Sequence, residues 1–348
     1  MAFPVPGVLI FAVCILRSMA NVVTGTTEEE VSDFASKLFG AILLTVNLIL
    51  PPGIIAFGLL GNLLAFFVLR QPQYAQQTTC FYMRMLSLFD NSCLLTHVLL
   101  RTIINYHGDA MFWRTAGPIM CPAITIAFSS YGLSNWTIAA MTLDRFLAVR
   151  FPLKAASLCT LRRCRITTIS IFIFCACISV PFGFRGVNPS AIVLKDVCQF
   201  NPDIFPPNFQ SKFLQAHKFC IFSAPFVIVL VLNVLIIISL KLRHSKTIRA
   251  TKDASRKDGH VTVLLLLVTA VFLVTNIPVT VDTWIWGHVL SNLNMTPRIS
   301  IIRKVAYECL TFVLFFSPAV NFYTYCLGCK KFRHDVLLMI RKCLRIGH

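Results

Sequence analysis

Acidic residues are scarce in this chain: 14 Asp and Glu stand against 32 Lys and Arg in 348 residues, for a formal net charge of +18. Charged residues of both signs reach only 13%, where a soluble domain carries about 25%. Hydrophobic residues make up 56%, with 30 Phe, and the mean hydropathy is +0.74. This deficit excludes an ordinary water-soluble fold, because one soluble core cannot absorb so much apolar surface and a bilayer can. Metal-ligand spacing is also missing. The 14 Cys are dispersed, mostly inside apolar runs where a thiol acts as a small hydrophobe, and Cys326 and Cys329 form a C-x-x-C beside a basic segment, a poor setting for redox work. No His, Asp and Ser gather at one depth, which argues against an enzyme. No repeated halves point to a transporter or channel. Internal repeats and low-complexity linkers are absent, so the chain reads as one domain.

A strongly basic chain can bind nucleic acid, but such proteins collect their charge on a folded soluble face. Here 21 of the 32 basic residues fall in alternate connections between apolar runs: Arg70 and Arg84, Arg145 to Arg165, Lys241 to Lys257, and Lys330 to Arg345. By the positive-inside rule those connections and the C-terminus are cytoplasmic, which puts the N-terminus, with Glu28, Glu29, Glu30 and Asp33, outside. Plasma-membrane lipid is then a partner and nucleic acid is not.

A bilayer core needs about 20 apolar residues per helix. Seven stretches qualify, at roughly Ala41 to Leu69, Cys80 to Ile104, Pro118 to Val149, Ile166 to Phe184, Phe213 to Leu242, Val261 to Trp286 and Val305 to Leu327. The expected fold is an all-α membrane protein, a seven-transmembrane helix bundle. After it, Lys330 to Leu344 alternates basic residues with Phe332, Val336, Leu337, Leu338 and Ile340, the spacing of a short amphipathic helix on the inner leaflet. The organisation is therefore residues 1–40 as N-terminus, 41–328 as bundle and 329–348 as amphipathic helix and tail. Residues 1–20 resemble a cleavable signal peptide, although the first basic residue, Arg17, follows the apolar run instead of preceding it.

Polar groups in hydrocarbon are costly, so each needs a partner or a purpose. Asp90 lies midway along the second span, and Asn62, Ser134, Asn276 and Asn321 sit at comparable depths in the first, third, sixth and seventh. Together they form a candidate hydrated cation site, with Na⁺ the candidate ion and no other cofactor; a static hydrogen-bonded network is the plainer alternative. Asp144, Arg145 and Phe146 close the third span and Pro152 and Leu153 follow. An arginine there can be held inward at rest and freed when helices separate, with Leu153 as an apolar knob for a cytoplasmic partner. Pro225 and Pro278 interrupt the fifth and sixth spans, either as fixed bends or as pivots.

This ordered set, Gly61-Asn62, Asp90, Asp144-Arg145, Pro225, Phe272 with Pro278, Asn321 with Tyr325, then Phe332-Arg333, resembles the rhodopsin-like G-protein-coupled receptors. Within them, Phe151 through Arg163 and Asn321 through Cys326 are most similar to invertebrate FMRFamide-type neuropeptide receptors. The resemblance implies no enzymatic chemistry, an extracellular ligand, a heterotrimeric G protein as partner, and Asn321 and Tyr325 as further switch residues. It also implies a disulfide between Cys121 and Cys198, although Cys121 stands one residue closer to Arg145 than usual. Departures are Phe146 for Tyr, Asn276 for the usual Trp before Pro278, Asn233 where Tyr is common, and no Trp in the fourth span. Ala127 replaces the Asp of an amine receptor and Phe315 the lysine of an opsin, so neither class fits.

The outer half keeps His97, Arg101, Asp282, Trp284, Trp286 and Glu308. Carboxylates beside aromatics can take a cationic Arg of a peptide, which favours an RFamide-type ligand. Alternatively Glu308 pairs with Arg101 and the Trp rings form an interfacial belt. An odorant-type chemoreceptor of the same fold is the rival reading. Asn294 heads an acceptor sequence for glycosylation, though Pro297 follows it, while the similar motif at Asn135 is buried in a span. Cys343, at the end of the amphipathic helix, is a candidate for lipidation.

Overall fold

The computed structural model describes residues 37–106, 110–187, 198–201, 203–246, 252–288 and 297–346. Residues 1–36 and Asn294 lie outside the described residues, as do the side chains of Trp284, Trp286 and Cys343. Seven long helices are described: α1 (Lys37–Leu69), α2 (78–106), α3 (Ala110–Arg150), α4 (Leu161–Ser179), α5 (207–246), α6 (Lys252–His288) and α7 (297–328). The short α8 (Lys330–Ile346) follows α7 after one residue. Backbone groups inside lipid must be satisfied within the segment, which is why the apolar runs become helices.

Six helices, all but α2, are long and apolar enough to cross a membrane by length and composition. In α2, Arg84, Asp90, Asn91, His97 and Arg101 dilute the apolar stretch. Most helices outrun the stretches expected from the sequence, α3 beginning at Ala110 and α6 at Lys252, because hydropathy marks lipid thickness whereas a helix continues into the headgroups. Only 22% of the apolar window of α4 is buried within the protein. Ile169, Phe172 and Ile173 project from it, an apolar surface that suits lipid.

One departure from an all-helical chain is a two-stranded antiparallel ribbon, β1 (Arg185–Val187) and β2 (Cys198–Phe200), with Arg185 opposite Phe200. The Cys121–Cys198 disulfide ties this ribbon to α3, with Cα atoms 5.4 Å apart, as the resemblance implied. We refer to this as the disulfide end of the bundle and to the opposite one as the basic end.

Proline explains two of three π-turns. Pro51 and Pro52 cannot donate, and just before them α1 widens at Thr45–Ile49, with the Leu50 N–H reaching Thr45 O. Pro225 follows a second π-turn in α5, at Phe219–Ser223. The third, Leu94–Val98 in α2, has no proline. In α7 the helix breaks at Phe315 and resumes at Phe316, and Pro318, in the first turn of the continuation, has no N–H for Leu314 O.

α1 approaches α7 closely because Gly58 and Gly61 lack side chains. A Cβ on Gly58 would lie 3.0 Å from Ala319 Cα, and one on Gly61 would lie 3.0 Å from the Tyr323 ring. Toward the basic end the core is Leu69, Leu86, Ile138, Met141, Leu265, Phe272 and Tyr325, closed by Phe332 and Val336 of α8. Leu337, Leu338 and Ile340 of α8 face outward, as an amphipathic helix on lipid requires.

Candidate functional site

At mid-bundle, Asp90 is fully buried. Ser134 Oγ donates to its Oδ1 at 2.5 Å and Asn321 Nδ2 to its Oδ2 at 2.7 Å, joining α2, α3 and α7. Asn62 Nδ2 donates to Pro318 O at 2.9 Å, a carbonyl one turn from Asn321. The Oδ1 atoms of Asn62 and Asn321 are buried without a hydrogen-bond partner. One carboxylate with nearby hydroxyl and amide oxygens is a donor set that fits a hard monovalent cation. Among the described residues no group of three or more His, Cys, Asp or Glu could hold a metal.

Asn276 has other partners than the expected ones. Tyr131 OH donates to its Oδ1 at 3.1 Å, and its Nδ2 donates to Phe272 O at 2.8 Å. The rotation of α6 turns this face toward Tyr131, which also stacks on Phe222 at 4.7 Å. The Tyr131 link to Asn276 thus joins α3 to α6 two residues before Pro278. Nearby, Thr269 Oγ1 donates to Asn233 Oδ1 at 3.1 Å, tying α6 to α5.

At the basic end, Arg145 Nη2 donates to Asp144 Oδ2 at 2.9 Å. Thr78 Oγ1 donates to the same oxygen at 2.9 Å, and Arg145 Nη2 also reaches Thr78 Oγ1 at 3.3 Å. Thr78, at the start of α2, was not singled out in the sequence; a lone threonine at a helix start carries no signal of a partner in α3. The side chains of Arg256, Lys257 and His260 lie outside the described residues. Phe146 is half-buried, and Tyr325 is fully buried with its hydroxyl unpartnered and its ring 5.7 Å from Phe332. Pro152 begins a short helix, Pro152–Leu158, on which Leu153 is 99% exposed.

Below that helix, Cys159 Sγ donates to Asp144 O at 3.5 Å. Burial, then the Asp144 charge, push its thiol up to about 11, so it stays protonated and unreactive at neutral pH.

At the disulfide end, Arg101 of α2 pairs with Glu308 of α7. The pair lines a narrow cavity with Pro51, Val98, Phe312 and Phe315. Glu308 is therefore no free carboxylate: of the two readings of these residues, pairing is what the structure holds, and an incoming cation must compete with Arg101. His97 is half-buried among Phe128, Tyr131 and Phe315, 5.2 to 5.9 Å between ring centres, with Nδ1 unpartnered. Asp282 is buried near the end of α6, within the field of Arg303 and Lys218. Arg185 of β1 sits over the rings of Phe182 and Phe200, at 5.0 and 4.5 Å.

Comparison with known proteins bears on the whole arrangement. Residues 61–325 match the family described as 7 transmembrane receptor (rhodopsin family). The chain is 24% identical over 300 residues to the FMRFamide receptor of Drosophila melanogaster, covering 82% of this chain and 52% of that receptor. It is 25% identical over 316 residues to cysteinyl leukotriene receptor 1 of Homo sapiens, covering 87% of this chain and 86% of that one. The Sus scrofa counterpart is also 25% identical, with 86% of each chain covered. The chain thus spans about half the length of the first of these relatives and most of the other two.

Proposed function

Because the chain belongs to the rhodopsin family of seven-transmembrane receptors, we propose that it is a G-protein-coupled receptor for an extracellular peptide of the RFamide type. Its membership makes it a multi-pass receptor with an extracellular ligand and a G-protein partner, and not an enzyme. The proposal concerns the ligand, the orientation and the residues that carry the signal.

The observation that supports a peptide is the Arg101–Glu308 pair in an aromatic-lined cavity. A guanidinium on the ligand replaces Arg101 at Glu308, and an adjoining apolar side chain packs on Phe312 and Phe315. Asp282 offers a second carboxylate. The same pair supports a second reading, in which an anionic ligand takes Arg101; two of the relatives are named for a leukotriene. The N-terminus and disulfide end face outward and the basic end faces the cytoplasm.

In the resting state Arg145 is held by Asp144 and Thr78. Ligand shifts the population toward a form in which this tie opens and Leu153 and Arg145 engage the G protein. Na⁺ at Asp90, Ser134, Asn321 and Asn62 favours the resting form. A calcium readout in transfected cells, challenged with RFamide peptides and with carboxylate lipids, tests the ligand. A response to lipids and to no peptide would sink the peptide reading.

A further inference from the structure

The ribbon at the disulfide end turns a cation inward. Cys198 of β2 points to α3 through its disulfide with Cys121. Phe200, two residues on, shares that face, because side chains alternate along a strand. Arg185 of β1 stands directly opposite Phe200 and so lies on the same side, with its guanidinium over the Phe200 ring at 4.5 Å and the Phe182 ring at 5.0 Å. Both rings are buried, and Arg185 itself is half-buried.

Nothing acidic answers this charge. Among the described residues no carboxylate pairs with Arg185, and its Nε is buried without a hydrogen-bond partner. Burial lowers its pKa from the ordinary arginine value, yet a guanidinium keeps its proton in proteins, so the charge persists with part of its hydration removed. Such a charge is costly until it is paired. One turn inward from Cys121 on α3, Thr125 Oγ1 is also buried and unpartnered, beside Gly183, where a Cβ would lie 3.3 Å from it. Rings wall the corner: Phe182 lies 4.6 Å from Phe128 and 4.7 Å from His217 of α5 between ring centres. Arg101, by contrast, is already neutralised by Glu308.

We propose that Arg185 is the recognition point for a carboxylate on the extracellular ligand, in an aromatic-walled subsite between the ribbon, α3 and α5. The planar guanidinium fork matches a carboxylate with two parallel hydrogen bonds, and an apolar group next to the acid packs on Phe182 and Phe128. An ammonium group would meet a like charge and is excluded from this corner. The inference goes beyond the RFamide reading: it concerns an acidic group, which an amidated C-terminus does not supply, and it does not depend on what meets Glu308.

The probes are N-acetylphenylalanine and its amide, which differ only in the carboxylate, read as the shift in unfolding midpoint of the whole receptor in lipid nanodiscs. The acid should raise the midpoint saturably, by about 2 °C or more, and the amide should not. Arg185→Gln should weaken the acid by about tenfold or more, the worth of a charge-assisted pair; Arg185→Lys keeps the cation, loses the fork and should weaken it by less. Octanoate, an acid on an alkyl chain, tells a lipid-like source from a peptide one by its affinity relative to N-acetylphenylalanine, and its shift too must be lost with Arg185→Gln. Equal shifts by acid and amide, no shift by either, or an acid shift kept in full by Arg185→Gln overturns the subsite. If Arg185→Gln yields no folded receptor, Arg185→Lys decides: an unchanged acid shift beside a lowered midpoint of the free receptor makes Arg185 a structural clamp and overturns the subsite. RFamide potency is scored separately in cells at Glu308, so either idea can fail without the other.

Discussion

Tyr74 and Asp335, 261 positions apart, are joined by a 2.5 Å hydrogen bond from the Tyr74 hydroxyl to Asp335 Oδ2. The bond clasps the short helix Pro72–Ala75 to α8. Gln73 Nε2 donates to the same oxygen at 2.8 Å, and Lys331 lies 5.7 Å over the Tyr74 ring. α8 is thereby held to the bundle by polar contacts as well as by Phe332 and Val336.

Removing this clasp should loosen α8. Tyr74→Phe and Asp335→Asn should each cost about 1.5 to 3 kcal/mol, the range for hydrogen bonds to charged groups, read as faster thermal inactivation in detergent. Burial, then the Asp335 carboxylate, raise the Tyr74 hydroxyl well above its ordinary value. A raised acid contributes stability that is fully present below its unfolded value, about 10, and is lost only as pH climbs through the folded one. The Tyr74→Phe defect should therefore be constant from about pH 7 to about pH 9, and shrink only in stronger alkali. A defect already fading at neutral pH would refute this assignment.

Thr78 and Asp144 both bind the Arg145 guanidinium. Thr78→Ala should raise agonist-independent nucleotide exchange by about threefold, while Arg145→Ala should abolish the agonist-driven part. Agonist-driven exchange that survives Arg145→Ala would remove Arg145 from the switch.

In the cavity at the disulfide end, Glu308→Arg sets two cations together, and potency for a cationic peptide should fall by about tenfold or more, the worth of a charge-assisted pair. Adding Arg101→Glu should restore thermal stability by reversing the pair. Peptide potency surviving Glu308→Arg would direct attention to Asp282.

Sodium should lower agonist affinity if the Asp90 cluster holds it. Asp90→Asn removes the charge and keeps a polar group for Ser134 and Asn321, so binding measured in Na⁺ and in an organic cation should become equal. A sodium effect that persists in Asp90→Asn would leave only the hydrogen-bonded network between α2, α3 and α7.

Linear order is enough for the spans, the basic side, the mid-membrane depth of Asp90 and the ends marked by Arg145 and Leu153. Lipid imposes a one-dimensional rule, about 20 apolar residues per crossing, and a charge is conspicuous against it. Which polar groups meet is a different question, because it depends on the rotation and tilt of each helix about its axis. Asn276 shares a depth with Asp90 yet faces Tyr131; Glu308 proves to be paired with Arg101. Asp335 and Tyr74 come together only when α8 folds back. Pro225 announces a missing donor in the sequence, but that Asn135 supplies one is decided by the packing of α3 on α5 through Gly132.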